Sequence, residues 1–367
     1  MGYVLYGVGA VSPFLRDALG LSDAQTGLHS SLVAIGLLGA GLMADRLDRR
    51  VGPSRSHAAA ALLGAVATVL LAWAPALAAT LLAAVAIGLA VGVFVGHVNG
   101  SLGSDGGPEA RTRLVRANVF GIVGPFVVPM IIAVGLATGV GWRLVFLPSL
   151  VLLAMTFRDS LRHGIPMAER AIASGRLPGG YWLAWSLLVL VIGVEFGIVF
   201  WAATLVERRT GASIGEAALA AGGFFAGMLL GRIALSGQAV GAIPPKLVMR
   251  VGLTVALAGT LAVWVAGSAV LAGIGLFVAG LGVAAQYPLG VALTLAAGQA
   301  APGAAAARLT LASGLAILAS PLILGTAADA VGVNQAWVLV PATCLAALAL
   351  SFAVGGAPSS QPGLERQ

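Results

Sequence analysis

The sequence has little of what builds a disulfide framework, a metal site or a charged surface. One cysteine, Cys344, stands among 367 residues, which excludes an internal disulfide and a cysteine-based metal site. The four histidines show no ligand spacing, so we predict no metal and no other cofactor. Charged residues make up only 9% of the chain. The first apolar segment leads to no small-residue cleavage site, so no cleavable signal peptide is predicted.

Apolar sequence is what the chain has in quantity. Hydrophobic residues make up 59% of it, and the mean hydropathy is +1.01. The ranges 58–96 and 251–307 contain no charged residue, and each is long enough for two membrane spans. The net charge of +7 fits cytoplasmic loops better than a nucleic-acid surface, which needs aromatic platforms. We therefore predict an all-α protein that crosses the lipid bilayer several times and binds no nucleic acid.

The longest polar interruption, 157–180, divides the apolar segments into six and six. This predicts an N-terminal bundle (1–157), a cytoplasmic loop (158–180), a C-terminal bundle (181–356) and a cytoplasmic tail (357–367). The predicted spans 1 to 12 cover residues 2–15, 26–45, 57–75, 78–101, 114–137, 142–157, 181–205, 213–236, 246–267, 269–296, 304–327 and 333–354.

The basic residues fix the expected orientation. If both termini are cytoplasmic, sixteen of the twenty Lys and Arg residues lie inside, as expected for a multi-pass inner-membrane protein. The remaining four would lie outside: Arg16, Arg143, Arg208 and Arg209.

Three pairs of segments suggest that the two halves repeat each other. The segment 41–46 (GLMADR) matches 227–232 (GMLLGR) at an offset of 186 residues, and 141–157 matches 336–352 at an offset of 195. In the first outer loop, 19–22 (LGLS) matches 210–213 (TGAS) at an offset of 191. These matches predict two six-helix bundles in the same orientation, related by pseudo-two-fold symmetry.

The segment Gly41-Leu-Met-Ala-Asp45-Arg46-Leu-Asp48-Arg49-Arg50 resembles the loop 2–3 signature of the major facilitator superfamily, roughly G-x-x-x-D-R-x-G-R-R. Gly141-Trp142-Arg143 at the start of span 6 is also typical of that family, as is the six-plus-six layout. The departure is Asp48, where the family usually has glycine. The resemblance covers the whole chain and implies a monomeric secondary transporter.

The charged segment also has a physical interpretation. Gly41 allows close approach of a neighbouring backbone, and Asp45 can cap the N-terminus of another helix. The resemblance implies that this helix is span 11, so that the segment forms a cytoplasmic gate latch of Gly41, Asp45, Arg46, Arg49 and Arg50. The alternative is a charge cluster that only orients the chain. Because Gly231 stands where Asp45 would be in the second half, the latch is predicted to be one-sided.

Glu195 is the one carboxyl group predicted at mid-depth of a span. An ionisable group in the membrane is costly and is by default a functional candidate. Without a cationic partner in a dry site, a carboxyl group takes up a proton more readily than in water, which suits proton coupling. The alternatives are a neutral structural Glu and a counter-charge for a cationic substrate. Gly193, Glu195 and Trp201 also resemble a pattern of sugar permeases in this superfamily.

Other candidates follow from the repeat and the resemblance. At an offset of 190, His97 of span 4 aligns with Tyr287 of span 10, beside Gln286. Spans 1, 4, 7 and 10 line the cavity in the family, so His97, Gln286, Tyr287 and Trp201 are predicted substrate contacts. The alternative for His97 is a histidine satisfied between helices.

The predicted function is a carrier that moves a small organic solute by alternating access and is driven by H⁺. Gly124-Pro125 resembles part of an antiporter signature and favours export; uptake of a sugar or small metabolite is the alternative. A receptor or scaffold is the alternative of another class. An enzyme is not expected, because no catalytic constellation is present.

Span 1 has 14 predicted residues, about 21 Å of helix against a hydrocarbon core of about 30 Å. We therefore expect that the natural protein starts upstream of Met1; the alternative is a short helix tolerated by local bilayer thinning.

Overall fold

The computed structural model describes residues 2–103, 108–162, 175–235 and 243–354, and in these ranges it contains helices and no strand. A 3₁₀ turn (Trp142–Val145) precedes α6. The helices are α1 (Gly2–Leu19), α2 (Asp23–Val51), α3 (Pro53–Trp73), α4 (Leu77–Gly103), α5 (Pro108–Ala137), α6 (Phe146–Arg162), α7 (Gly179–Thr210), α8 (Ile214–Leu235), α9 (Pro245–Val265), α10 (Ala269–Val283), α11 (Gln286–Ala297), α12 (Pro302–Val331), α13 (Val333–Ala336) and α14 (Leu339–Ala353).

Ten segments of the described chain are long and apolar enough to cross a membrane, and α1 and α5 complete the twelve predicted spans. Span 10 consists of α10 and α11, which are separated by a turn at Ala284 and Ala285. Span 11 is α12, and span 12 consists of α13 and α14. The prediction of twelve helical spans agrees with this architecture.

The predicted end of span 1 is wrong. α1 continues to Leu19 and has 18 residues, about 27 Å of helix. The sequence interpretation stopped before Arg16 because a charge usually marks the membrane boundary. Here Arg16 is 8% exposed and pairs with Asp17 and Glu207, so its charge is compensated within the fold.

In each half, glycines allow the backbones of two neighbouring helices to come into direct contact. A Cβ atom on Gly88 of α4 would collide with the Val33 carbonyl oxygen of α2. In the other half, a Cβ atom on Gly280 of α10 would collide in the same way with the Phe224 carbonyl oxygen of α8. The glycines at these positions therefore serve close helix packing.

These equivalent contacts correct the alignment of the two halves. Val33 and Phe224 are 191 residues apart, as in the match of the outer loops, so the offset of 186 for the segments 41–46 and 227–232 is wrong. At an offset of 191 residues, Arg232 corresponds to Gly41, and Asp45 corresponds to position 236, which lies outside the described residues. Gly231 is therefore not the counterpart of Asp45. At the corrected offset the sequence has Ser236 there, which also lacks a carboxyl group, so the one-sided latch stays a prediction.

The halves meet where α1 faces α7, α2 faces α12 and α5 faces α8. The contact of α2 with α12 is built around Pro321, which has no N–H and leaves the Ile317 carbonyl without its helical partner. Ser30 Oγ of α2 donates to that carbonyl at 3.0 Å, and Ser31 Oγ donates to the Leu318 carbonyl at 2.7 Å. Hydroxyl groups of one bundle thus satisfy backbone acceptors of the other.

Candidate functional site

Glu195 lies where the two bundles meet, in the middle of α7. Glu195 is 4% exposed, and Tyr6 Oη of α1 donates a hydrogen bond to Glu195 Oε1 at 2.5 Å. Tyr6 belongs to the N-terminal bundle and Glu195 to the C-terminal bundle. The buried carboxyl group therefore takes part in a hydrogen bond that joins the two halves of the molecule.

Aromatic rings surround this hydrogen bond. The Tyr6 ring stacks on Phe196 with 5.6 Å between ring centroids, and it meets Phe225 edge-on at 5.7 Å. The rings exclude water from the carboxyl group and fix the direction of the phenol. In such an apolar setting, the strength of the hydrogen bond depends more on whether Glu195 is charged than it would in water.

A cation and a second phenol also act on this site. Arg232 of α8 interacts electrostatically with Glu195, while its Nε donates to the Ala284 carbonyl at 3.2 Å. In the described part of the chain, no salt bridge within 4.0 Å includes Glu195. Tyr287 of α11 lies near Glu195 and near Ser313 of α12. It is 38% exposed.

Two predicted cavity residues serve helix contacts instead. Trp201 is 1% exposed, and its Nε1 donates to the Pro321 carbonyl of α12 at 3.0 Å. Gln286 is 2% exposed, and its Nε2 donates to the carbonyls of Gly282 and Met249, at 2.9 and 3.1 Å. The prediction placed Gln286 in the cavity because it is next to Tyr287, but adjacent helical residues point in different directions.

His97 is joined to Asp48 and His57, and the structure does not bring it to Glu195. His97 Nε2 lies 3.0 Å from Asp48 Oδ2, and the two Nδ1 atoms of His97 and His57 are 2.9 Å apart. The three side chains come from α4, α2 and α3 of one bundle. This geometry is that of a histidine satisfied between helices, the alternative given above.

The residues of the predicted latch lie at the C-terminal end of α2, which is predicted to be cytoplasmic. Gly41, Arg46, Arg49 and Arg50 are exposed, whereas the side chain of Asp45 is outside the described residues. The helix continues through Asp48, so the turn of this loop is made at Gly52, whose φ of 87° suits glycine. The latch thus remains a prediction.

The opposite, N-terminal end of α2, predicted to lie on the outer side, is capped by the other bundle. Asp329 of α12 accepts hydrogen bonds from the backbone N–H groups of Asp23 (2.7 Å) and Ala24 (2.9 Å) and from Ser22 Oγ (3.0 Å). A carboxylate in this position is favoured by the unpaired N–H groups and by the helix dipole.

Two ion pairs reinforce the same outer contact. Arg208 of α7 binds Asp23 through both guanidinium NH groups, at 2.6 and 2.8 Å, and Arg16 Nη2 lies 2.9 Å from Glu207 Oε2. We call Arg16, Asp23, Glu207, Arg208 and Asp329 the outer lock. Sequence reasoning missed it, because it treated the charges near the outer loops only as topology signals. The capping sequence Ser22-x-x-Gln25 was the available sign of a helix start there.

Comparison with solved structures decides the fold. NupG, a nucleoside transporter, superposes with a TM-score of 0.76 at 13% identity, covering 97% of each chain. FucP, the E. coli fucose:proton symporter and a major facilitator superfamily transporter, gives a TM-score of 0.62 at 18% identity over 97% of this chain and 98% of that chain. This chain has the major facilitator fold. No protein-family model and no curated protein sequence matches the chain.

A third structure shares the major facilitator fold and nearly the full length. A bacterial homologue of the human lysosomal transporter Spinster, in an inward-facing conformation, gives a TM-score of 0.69 at 16% identity over 96% of this chain and 94% of that chain. The cluster around Glu195 contains residues of spans 1, 7, 8 and 10, and these include three of the four spans that the resemblance implied. Span 4 supplies His97, which faces its own bundle.

Proposed function

We propose that this protein is a proton-coupled secondary carrier for a small organic solute, and that Glu195 is its proton-binding residue. The hydrogen bond from Tyr6 to Glu195 carries this proposal, because a titratable group bridges the two bundles that move against each other in alternating access. The transport activities named for NupG and FucP support a carrier rather than an enzyme, receptor or scaffold.

The proposed coupling follows from the chemistry of that bond. When Glu195 is ionised, it is a strong acceptor for the Tyr6 phenol, and charge-assisted hydrogen bonds are about twice as strong as neutral ones. A proton on Glu195 removes the charge and weakens the link between the bundles. Protonation thereby lowers the cost of separating α1 from α7, and the gradient biases the conformational exchange.

The described contacts between the bundles support an inward-facing conformation. The outer lock joins the bundles at one end of the interface, and Gly9 of α1 packs directly against Val199 of α7. At the other end, Leu42, Met43 and Leu47 of α2 are exposed. In this conformation the site around Glu195 would exchange solute with the cytoplasm, with both chain termini on that side.

The sequence argument for export was the resemblance of Gly124-Pro125 to an antiporter signature, and the packing of Gly124 offers another explanation for this glycine. A Cβ atom on Gly124 of α5 would lie 3.0 Å from the Tyr3 backbone and Cβ, so this glycine is needed for the contact of α5 with α1. Packing accounts for it without an antiport role. Export and proton-linked uptake are therefore both outcomes of the transport test.

The test uses purified protein in liposomes loaded with a pH-sensitive dye, with uridine and fucose as the first members of a solute panel. In the wild type, addition of a transported solute should move protons across the membrane. Glu195→Gln should abolish solute-driven proton flux and ΔpH-driven solute flux while solute exchange continues. Tyr6→Phe should retain transport with reduced coupling, because the carboxyl group remains.

Glu216→Gln is the matched control, since Glu216 lies at the outer end of α8 and caps Ser213 of its own bundle. It should behave as the wild type. Unchanged ΔpH-driven flux in Glu195→Gln would reject Glu195 as the coupling residue. Transport without proton movement in the wild type would reject proton coupling altogether.

A further inference from the structure

A second group of titratable side chains lies outside the site around Glu195. Asp48 is near the end of α2, His57 is in the second turn of α3, and His97 is near the end of α4. His97 bonds to Asp48 Oδ2 through Nε2 at 3.0 Å and faces His57 Nδ1 through its own Nδ1 at 2.9 Å. We call Asp48, His57 and His97 the histidine chain.

The histidine chain is mostly buried, and His57 is its more exposed member. The side chains of His97 and Asp48 are 7% and 13% exposed, and Asp48 Oδ1 is buried without a hydrogen-bond partner among the described residues. His57 is half-buried and packs on Phe94 at 4.7 Å between ring centroids. The charged groups that face it are Asp48 from α2 and Asp159 from α6.

The geometry allows one proton to enter without loss of a hydrogen bond. Before uptake, His57 Nδ1–H donates to His97 Nδ1, and His97 Nε2–H donates to Asp48. A proton that binds His57 Nε2 lets the Nδ1 proton pass to His97 Nδ1. His57 is then the neutral tautomer with its proton on Nε2, and His97 is a cation that donates to both neighbours.

We propose that the histidine chain is a second proton-binding site, which senses cytoplasmic pH and sets how firmly the cytoplasmic end of α2 is held to α3 and α4. With the proton bound, the contact of His97 with Asp48 is an ion pair as well as a hydrogen bond. The hold is therefore present at low pH and is lost as the pH rises and the proton leaves. Asp48, the departure from the family pattern, is the residue that makes this possible.

The geometry of the histidine chain fits a bound proton better than a bound metal ion. Two facing imidazole nitrogens also occur where histidines share a metal, but a closed site needs three or four protein ligands. Within the described residues, no group of three His, Cys, Asp or Glu side chains could hold a metal ion. Asp48 is already bonded to the far nitrogen of His97, which leaves the two Nδ1 atoms alone.

The test measures opening of the cytoplasmic end of the N-terminal bundle. Ser56, next to His57, is 0% exposed, and its Oγ has no hydrogen-bond partner among the described residues, so Ser56→Cys in a Cys344→Ser background is a near-isosteric probe. Its maleimide labelling is divided by that of exposed Val51→Cys, which corrects for thiol reactivity. We expect this ratio to rise about fivefold from pH 5.5 to 8, as the ion pair of His97 with Asp48 becomes a hydrogen bond from a neutral imidazole.

Asp48→Asn keeps the shape and removes the charge, so it should give a ratio that does not change with pH. His29→Gln is the matched control, because His29 also joins α2 to α4, through Thr80 at 2.9 Å, without a carboxylate. It should keep the wild-type response. If Asp48→Asn does not elute as a single species, His57→Phe replaces it, since Phe fills the space beside Phe94 and cannot relay a proton.

A pH response that persists in Asp48→Asn or His57→Phe, or that is missing in the wild type, overturns the proposal. A response that EDTA abolishes and Zn²⁺ restores also overturns it in favour of a metal site. None of these measurements involves Glu195 or solute, so the result is independent of the proposed transport mechanism.

Discussion

In the N-terminal half, Gly88 of α4 lies against α2 at Val33, and in the C-terminal half Gly280 of α10 lies against α8 at Phe224. Two polar features do not follow this repetition. Glu195 has Val4 at the corresponding position 191 residues earlier, and the histidine chain belongs to the N-terminal half alone. The comparison shows that packing restrains a glycine contact in both copies, while a charge can be placed in one copy without a partner in the other.

The largest effect should come from breaking the repeated packing. Gly88→Val and Gly280→Val would each push a side chain into a backbone carbonyl, and overpacking costs about 1–3 kcal/mol or more. Both should lower the melting temperature in detergent by similar amounts. Gly7→Ala, at a position with open space for a Cβ atom, should leave it unchanged or higher. A stable Gly280→Val with an unstable Gly88→Val would mean that the halves do not pack equivalently.

A smaller effect should separate the two outer helix starts. Both helix starts have a capping box of their own, Ser22 with Gln25 in α2 and Ser213 with Glu216 in α8. The N-terminus of α2 is in addition capped from the other bundle by Asp329. Asp329→Asn should weaken the outer lock by about 1–2 kcal/mol. The readout is labelling of Ala203→Cys, buried beside Ala10 and Ala218, in a Cys344→Ser background.

A membrane-impermeant maleimide added outside should label Ala203→Cys several-fold faster when Asp329→Asn is present. Glu216→Gln serves as the control, because its amide can still cap α8 and it spans no bundle contact. Equal labelling in both variants would show that the outer lock does not hold the bundles together.

The smallest effect concerns the cytoplasmic end of α2. If Asp45 caps α12 when the cytoplasmic side closes, Asp45→Asn should favour the inward-facing conformation by about 0.3–1 kcal/mol. Cysteines introduced at the cytoplasmic ends of α4 and α11 should then label about two- to fivefold faster from that side. Arg46→Gln, which alters the neighbouring charge and not the cap, should have less effect. If labelling does not rise in Asp45→Asn, Asp45 is a topology residue and no latch.

The sequence predicted the twelve spans because long apolar runs with short breaks form membrane helices and little else. It also predicted Glu195 as the central group, since a lone carboxyl in an apolar segment is conspicuous. It could not place Gln286 or Trp201, because the period of a helix does not say which neighbour each face meets. Trp201 pairs with the Pro321 carbonyl of α12, a partner 120 residues further along the sequence.

The outer lock and the histidine chain depend on contacts between residues far apart in the sequence. Asp329 and Asp23 are 306 residues apart, and His97 and Asp48 are 49 apart. Composition and local pattern carry no information on such pairs. The wrong match of 41–46 with 227–232 has the same cause. It rested on a short run of small residues followed by Arg, and only the backbone contacts show that the offset is 191 residues.

Arg16 and Glu207, which pair in the outer lock, are 191 residues apart, the same separation that relates the two halves. They therefore occupy equivalent positions in the two halves, next to the pseudo-symmetry axis. In a symmetric dimer of a single half, that position would meet itself, and two arginines or two glutamates would repel each other. The attraction between Arg16 and Glu207 thus requires that the two halves differ in sequence at this position. A carrier rebuilt as a homodimer of either half would need a neutral residue at this position to close its outer side.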